Sequence, residues 1–548
     1  MDLVDINEVK NILRKYNEII INNIDSEDDY FAFIGFEYQD KQFSIVINQI
    51  DQITEMPFII TGSDIDDYPH IMGEYEYKDK IIRYICLFEN TDFVKSIMSL
   101  EEKVSLLVDQ LLRLFRLSKS QIEKEFQKEF LYYWDTASKN EDKIYLFLSE
   151  DNKVQQLSKY KNEKATRLIS HNMKFNDKAQ WKHNPNPPII YIPIIDNRGI
   201  LPPTSKEKWT KKDIVNIIDD RQCSKISNES YRFLTEQNFS GRELILVFGM
   251  RTPYNTISFA CSITFRFGGQ DKLLKKLIST DYEMACLETT RCDYEFLNKQ
   301  IGNDVRLIDK EVAIIGAGSL GSYVANEVIR SGVKQLTIYD DDTLSEQNVL
   351  RHTIGMGGVG YTKVIALKAT LQHIHPEILV NSISKKFFED NIALTSGNYD
   401  LIIFTVGGSD IQLECNKEFS KASNKEKVIY AWLEADGINS HVLYVDYENH
   451  GCFQCLFTDT EGCPVNNKVN VANESAIEER TIRNSCGGTR VAYGTEILSR
   501  TTSVIINTLK KIYTESCKEN FLIDINAEKV VNRKLEFYES KCRCCNED

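Results

Sequence analysis

Two sets of side chains in this sequence are spaced for chemistry: a glycine turn followed by fixed polar groups, and paired cysteines. Gly316, Gly318 and Gly321 form GxGxxG at the end of the apolar run EVAIIG. Glycine permits a tight turn and a close backbone approach, and the following helix aims its first amides at phosphate. SYVANEVIRSGV has helical spacing, Gly332 can end that helix, and QLTIYD reads as a second strand. Asp340 follows Gly321 by 19 residues, the usual place for an acid that holds ribose hydroxyls. Up to this point NAD and ATP are served equally. Asn348, Arg351 and Lys363, as NxxR then VGxxK, separate them. A dehydrogenase has no use for fixed cations there. An adenylating enzyme does, because triphosphate and departing pyrophosphate carry charge that Arg and Lys stabilise.

The cysteines come next. Cys452 and Cys455 form one CxxC and Cys542 and Cys545 a second, with Cys544 between the last two. Two such pairs suit a closed, structural tetrahedral Zn²⁺ site. The competing reading of either pair is two buried apolar thiols, and Cys544 leaves open which member of the last pair is the ligand. Cys486, in RNSCGGTRVAYG, precedes a helix-like run, GTEILSRTTSVIINTL. A helix start and Arg483 and Arg490 nearby favour a thiolate, the reactive form. The polar stretch 459–485 before it reads as a crossover loop, and Cys463 on that loop is the alternative nucleophile.

These groups need scaffolds. With 548 residues, the chain is too long for one core. Three regions are expected: 1–135, 136–285 and 286–548. In the first, FAFIGFEYQDKQFSIVIN (31–48) alternates as a hairpin should. A loop with Pro57 and Pro69 and a strand-like IIRYICLF (81–88) follow. A helix starts at Ser99, where Ser99 and Glu102 make a capping box ahead of the stripe Leu100, Val104, Leu107, Leu111 and Leu114. The middle region holds a proline-punctuated stretch (184–203) and strand-like runs at 243–250 and 257–267, with no legible chemistry. The third has the α/β pattern of a Rossmann-like domain.

Net charge is −15, which argues against a nucleic-acid surface. The N-terminus lacks the apolar segment of a signal peptide, and no apolar run is long enough to span a bilayer. A reducing cytoplasm, with cysteines used for metal and catalysis, is the expected setting.

Over roughly 290–515, the glycine turn, DxD, NxxR, VGxxK, CxxC and late cysteine occur in the order of the ubiquitin-activating (ThiF-like) superfamily, which this stretch resembles. The resemblance implies that Asp340 holds ribose, that Asn348, Arg351 and Lys363 contact the triphosphate, and that the adenylation domains pair as homodimers. It also supports the zinc site, implies a catalytic cysteine at Cys486, and places an arginine that reaches the nucleotide at Arg291. There is one departure. Where the family carries an aspartate for Mg²⁺-assisted adenylation, DLIIFTVGGSD presents Gly407. Asp410 is the expected substitute, with Asp342 a second candidate for the metal.

Residues 25–135 resemble a ubiquitin-conjugating enzyme. Pro69, His70 and Cys86 follow its order, although the gap from His70 to Cys86 is long and the usual Asn is missing. His70 either orients a thioester oxyanion or caps a loop. The whole resembles the fused activating and conjugating enzymes of bacterial CBASS antiphage operons.

The expectation is therefore an α+β ubiquitin-conjugating-like domain (1–135), a middle linker and docking region (136–285), and an α/β adenylation domain with a zinc site (286–548). ATP, Mg²⁺ and Zn²⁺ are the implied cofactors. The expected donor is a ubiquitin-like protein or a CD-NTase C-terminal tail, and the acceptor an amine of a target protein. A ThiF-like sulfur-carrier adenylyltransferase and an inactive scaffold are the alternatives.

Overall fold

The structure of the protein, a computed structural model, describes all residues except 1–5, 27–30, 49–57, 63–67, 78–79, 86–96, 139–141, 205–206, 220–224, 390–398, 423–424, 473, 484–488, 516, 527–530 and 546–548. The chain divides into two compact units. One comprises 1–171 and 182–291, the other 172–181 and 292–548.

The first unit contains two large sheets, each with its own core, and a two-stranded ribbon of Asn238–Phe239 and Asp271–Lys272. The N-terminal sheet is antiparallel and six-stranded, in the order Ile20–Ser26, Phe31–Tyr38, Lys41–Asn48, Phe58–Gly62, Lys80–Ile85, Ile71–Tyr77. The expected hairpin is there. Gln39 and Asp40 form its two-residue turn, both with positive φ (49° and 64°), the backbone that suits the twist of the flanking strands. Helix Leu100–Phe115 starts at the Ser99–Glu102 capping box and buries Val104, Leu107, Leu111 and Leu114 against Ile34, Phe36 and Phe43.

The middle region is an eight-stranded mixed sheet with its own core. Its proline-punctuated stretch is a long strand, Lys182–Ile194, between Gln155–Lys161 and Glu243–Arg251. Prolines cannot donate to a ladder, and the register with Gln155–Lys161 breaks between Asn184 and Ile189, where Pro185, Pro187 and Pro188 fall. Phe130 and Trp134 belong to this core, and Trp134 Nε1 donates to the Ala260 carbonyl at 3.1 Å. The sheet extends to Thr290–Arg291, beyond the boundary expected at 285.

The second unit is built on one sheet, in the order Leu379–Ile383, Gln335–Tyr339, Glu311–Ile315, Leu401–Phe404, Lys427–Leu433, Asn439–Asp446, Phe521–Asn526, Val531–Leu535. The first five strands are parallel and the last three antiparallel. Glu311–Ile315 alternates between its two faces. Val312 and Ile314 pack with helices Ser319–Arg330 and Thr495–Thr514, and Ala313 and Ile315 with helix Ser409–Lys421 and the cysteine pairs. Each fully buried aliphatic side chain here contributes about 1.5–3 kcal/mol. The chain reverses direction across the sheet at Glu311–Ile315, so a crevice opens at the carboxyl ends of strands 311–315, 335–339 and 401–404. Among the described residues, no helix is long and apolar enough to cross a membrane.

Candidate functional site

The crevice collects the polar set read from the sequence. Gly316 leaves its strand at φ +97°, and a Cβ there would lie 2.7 Å from Val406 Cγ1. At Gly321 a Cβ would lie 1.9 Å from the Gly316 carbonyl, so the helix can approach the turn only without a side chain. Cβ atoms on Gly318, Gly407 and Gly408 would meet nothing within 4 Å. That open floor beneath the start of helix Ser319–Arg330 fits a phosphate chain.

Asp340 directly follows strand Gln335–Tyr339. Its Oδ2 accepts the Ala317 amide at 2.7 Å and its Oδ1 the Asp342 amide at 2.8 Å. Asp342 in turn pairs with Lys363, Nζ to Oδ2 at 2.5 Å. Burial opposes ionisation of Asp342, but the Lys363 ammonium outweighs it and holds the carboxyl below its usual range. Lys363 is itself buried, at the first turn of helix Lys363–Gln372. Asn348 Oδ1 accepts the Ser345 amide and hydroxyl, which orders the turn Glu346–Arg351.

Arg351 lies over the Tyr493 ring, 5.1 Å from its centroid, and donates through Nη1 to the Val491 carbonyl at 3.4 Å. Its Nε is buried without a hydrogen-bond partner. It lines a cavity of about 440 Å³ with Gln347, Leu350, Arg480, Tyr493 and Thr495. Asp410 is exposed in the first turn of helix Ser409–Lys421.

Two groups that sequence reading missed hold the turn. His352 Nδ1 accepts the Ile354 amide, so Nε2 carries the proton and donates to the Ala317 carbonyl at 2.8 Å. Burial lowers its pKa and keeps it neutral. Thr405 Oγ1 donates to the Gly316 carbonyl at 2.8 Å. Adjacency to Arg351 was the one available signal for His352, and Thr405 had none.

The cysteine pairs converge. The sulfurs of Cys452, Cys455, Cys542 and Cys545 all lie within 4.8 Å of one another. Cys452 to Cys542 is 3.9 Å and Cys455 to Cys545 3.5 Å. Thiolates on a tetrahedral zinc at about 2.3 Å would stand about 3.8 Å apart, so the four fit that ion. Cys544 lies outside the quartet, accepting a hydrogen bond from Asn416 Nδ2 at 3.0 Å and donating through Sγ to Ser420 Oγ at 3.3 Å. Asn416 also reaches Cys452 Sγ at 3.6 Å and accepts from Tyr447 and the Phe453 amide. These buried contacts behind the sulfurs, made by Asn416 on helix Ser409–Lys421, were not read from the sequence.

The proposed nucleophiles Cys86 and Cys486 lie outside the described residues, directly after strand Lys80–Ile85 and between strands Thr481–Arg483 and Thr489–Val491. Cys463 is exposed in a turn closed by Asp459. Arg291 is buried in an ion pair with Asp151 at 2.9 Å in the first unit. That pairing occupies the guanidinium expected to reach the nucleotide. His70, at φ +68°, is gripped on both ring nitrogens, Nδ1 by Glu129 at 2.7 Å and Nε2 by Glu125 at 3.1 Å. Burial pulls its pKa down, but the two carboxylates outweigh burial and raise it.

Comparison with known proteins agrees with the crevice. The sequence model of the ThiF family matches residues 298–544. Ubiquitin-like modifier-activating enzyme 5 of Caenorhabditis elegans is 27% identical over 166 residues, 28% of this chain and 38% of that protein. The ATP-dependent ubiquitin transferase-like protein Cap2 of Vibrio cholerae is 26% identical over 286 residues, 50% of this chain and 47% of that protein. Cap2 of Enterobacter hormaechei is 40% identical over 114 residues, 20% of this chain and 19% of that protein. The chain thus spans less than half the length of these relatives. Among solved structures, Escherichia coli MccB with ATP is 18% identical, with a TM-score of 0.34, over 44% of this chain and 68% of that one. Residues 298–544 of this chain are thus similar to the ThiF family.

Proposed function

We propose that the C-terminal domain uses ATP·Mg²⁺ to adenylate the C-terminal carboxylate of a partner protein. The observation that carries this reading is the continuous chain of contacts from the glycine turn through Asp340 and Asp342 to Lys363. Such a chain presents a ribose acceptor and a buried cation beside an open phosphate floor. The donor carboxylate attacks the α-phosphorus, pyrophosphate leaves, and an acyl-adenylate forms. Asn348, Arg351 and Lys363 stabilise charge on the phosphates. Asp410 is the candidate for the metal role that Gly407 leaves open, and its exposed place at the crevice edge is compatible with that.

In the same reading the Cys486 thiolate displaces AMP to give a thioester, transthiolation moves the acyl group to Cys86, and a target amine takes it as an amide. The N-terminal sheet and helices serve as the conjugating domain and the middle sheet as a docking region. Tethering both cysteines in one chain raises their effective concentration. The name of the Cap2 relatives, ATP-dependent ubiquitin transferase-like protein, supports ATP-driven transfer of a ubiquitin-like group. The resemblance read from the sequence suggests a ubiquitin-like protein or CD-NTase tail as donor, in cytoplasmic antiphage defence. The quartet Cys452, Cys455, Cys542 and Cys545 holds structural zinc. The exposed apolar side chains Leu350, Met356, Tyr361 and Ile365 support pairing of adenylation domains as a homodimer.

Trapping a thiol-reducible protein adduct tests the relay. Wild type carries it on Cys86 through Cys486. Charging of Cys86 in a Cys486→Ala chain contradicts that order. A chain that exchanges pyrophosphate but never carries an adduct favours a sulfur-carrier adenylyltransferase, and one that does neither favours a scaffold.

A further inference from the structure

The hairpin turn between strands Lys427–Leu433 and Asn439–Asp446 holds a buried charge that the nucleotide chemistry does not use. The Glu434 side chain is 1% exposed. Its carboxylate accepts from His441 Nε2 at 2.6 Å, from the Val471 amide at 2.9 Å and from the Ala472 amide at 2.7 Å. His441 is fully buried, with Nδ1 facing Asp524 at 3.4 Å and its ring stacked on Trp432. Trp432 Nε1 in turn donates to Asn470. A buried carboxylate is tolerable only with such partners, and two of them are backbone amides at one place in the chain.

Val471 and Ala472 begin the segment that continues through Arg480 to Tyr493. The same hairpin turn also meets the far end of that segment. A Cβ on Gly437 (φ +70°) would lie 2.8 Å from the Ala492 carbonyl and 3.2 Å from both Arg480 Nη1 and Tyr493 Cβ. Asp436 fixes the turn by accepting the Ile438 and Asn439 amides, each at 3.0 Å. The Ala492 amide donates to the Arg480 carbonyl at 2.8 Å. Arg480, Ala492 and Tyr493 line the same cavity as Arg351, whose guanidinium lies over the Tyr493 ring.

We propose that Glu434 is a positioning residue: locked by His441, it anchors Val471 and Ala472 so that Arg480 lines the cavity and Tyr493 stays seated against the Arg351 guanidinium. The link to nucleotide rests on the adenylation reading, whereas the positioning does not. Amide hydrogen exchange and mant-ATP·Mg²⁺ binding on the full chain test both. Glu434→Ala should speed exchange of the Val471, Ala472 and 491–493 amides by at least about tenfold while strands 311–315 and 401–404 stay protected. Nucleotide binding should weaken by about fivefold. Glu434→Gln keeps one acceptor oxygen and should recover part of both effects. Unchanged exchange at 491–493, or uniform acceleration across the unit, overturns the proposal. If wild type fails to bind mant-ATP, the nucleotide reading falls while the exchange pattern still decides the positioning.

Discussion

The Asp340 carboxylate accepts the Ala317 amide at 2.7 Å, across the glycine turn. The acid read as a ribose ligand is thus also a strut of the phosphate cradle. Asp340→Ala should therefore lose more than a ligand. Expected outcomes are loss of mant-ATP binding and destabilisation by about 1–3 kcal/mol, the cost of an unpaired amide near the core. Asp340→Asn, which keeps one acceptor for the two amides, should recover part of the stability but not affinity. Urea unfolding beside a binding titration separates the two.

Glycines in the crevice differ in what they tolerate. Gly321→Ala drives a Cβ into the Gly316 carbonyl and should cost more than about 2 kcal/mol, with nucleotide binding lost. Gly407→Asp places its side chain in open space. It should keep Tm within about 2 °C of wild type and raise Mg²⁺-dependent pyrophosphate exchange. Thermal melts and exchange assays on both variants check the contrast.

Four thiols converge while Cys463 stays exposed. Zinc stoichiometry by elemental analysis should be one per chain in wild type and in Cys463→Ser, and near zero in Cys455→Ser. Chelation should lower Tm of the wild type, since binding energy in a structural site is folding energy.

Two histidines should pull stability in opposite directions with pH. The His70 pKa is raised, so its contribution is full below about pH 6.5 and fades as pH rises through the folded value. The His352 pKa is lowered, so the folded state binds its proton less readily than the unfolded one. Its contribution is full above about pH 6.5 and fades as pH falls through the folded value. Denaturation across pH 5–8, compared between wild type, His70→Gln and His352→Gln, should show each slope vanish in its own variant.

What the sequence revealed was local in chain distance. The glycine turn, Asp340 and the NxxR and VGxxK groups lie within some fifty residues, so spacing alone placed them at one pole of the sheet. The cysteine pairs are distant but share a metal's preference for four thiolates, and that chemistry linked them. Thr405, Asn416 and Glu434 have no such signature. Each is an ordinary polar residue whose role appears only when strands 311–315, 401–404 and 427–433 lie side by side. The ion pair of Arg291 with Asp151, a partner 140 residues away, was likewise not legible in the sequence. In the middle region, prolines obscured strand Lys182–Ile194 by falling where its ladder is interrupted.

ATP–pyrophosphate exchange by the full chain, with a ubiquitin-like protein or CD-NTase carrying a free C-terminal carboxylate, tests the adenylation claim most directly. The account predicts exchange that needs that carboxylate and is lost in Lys363→Ala. Full exchange in Lys363→Ala, or none in a wild-type chain that binds ATP and its donor, would contradict it.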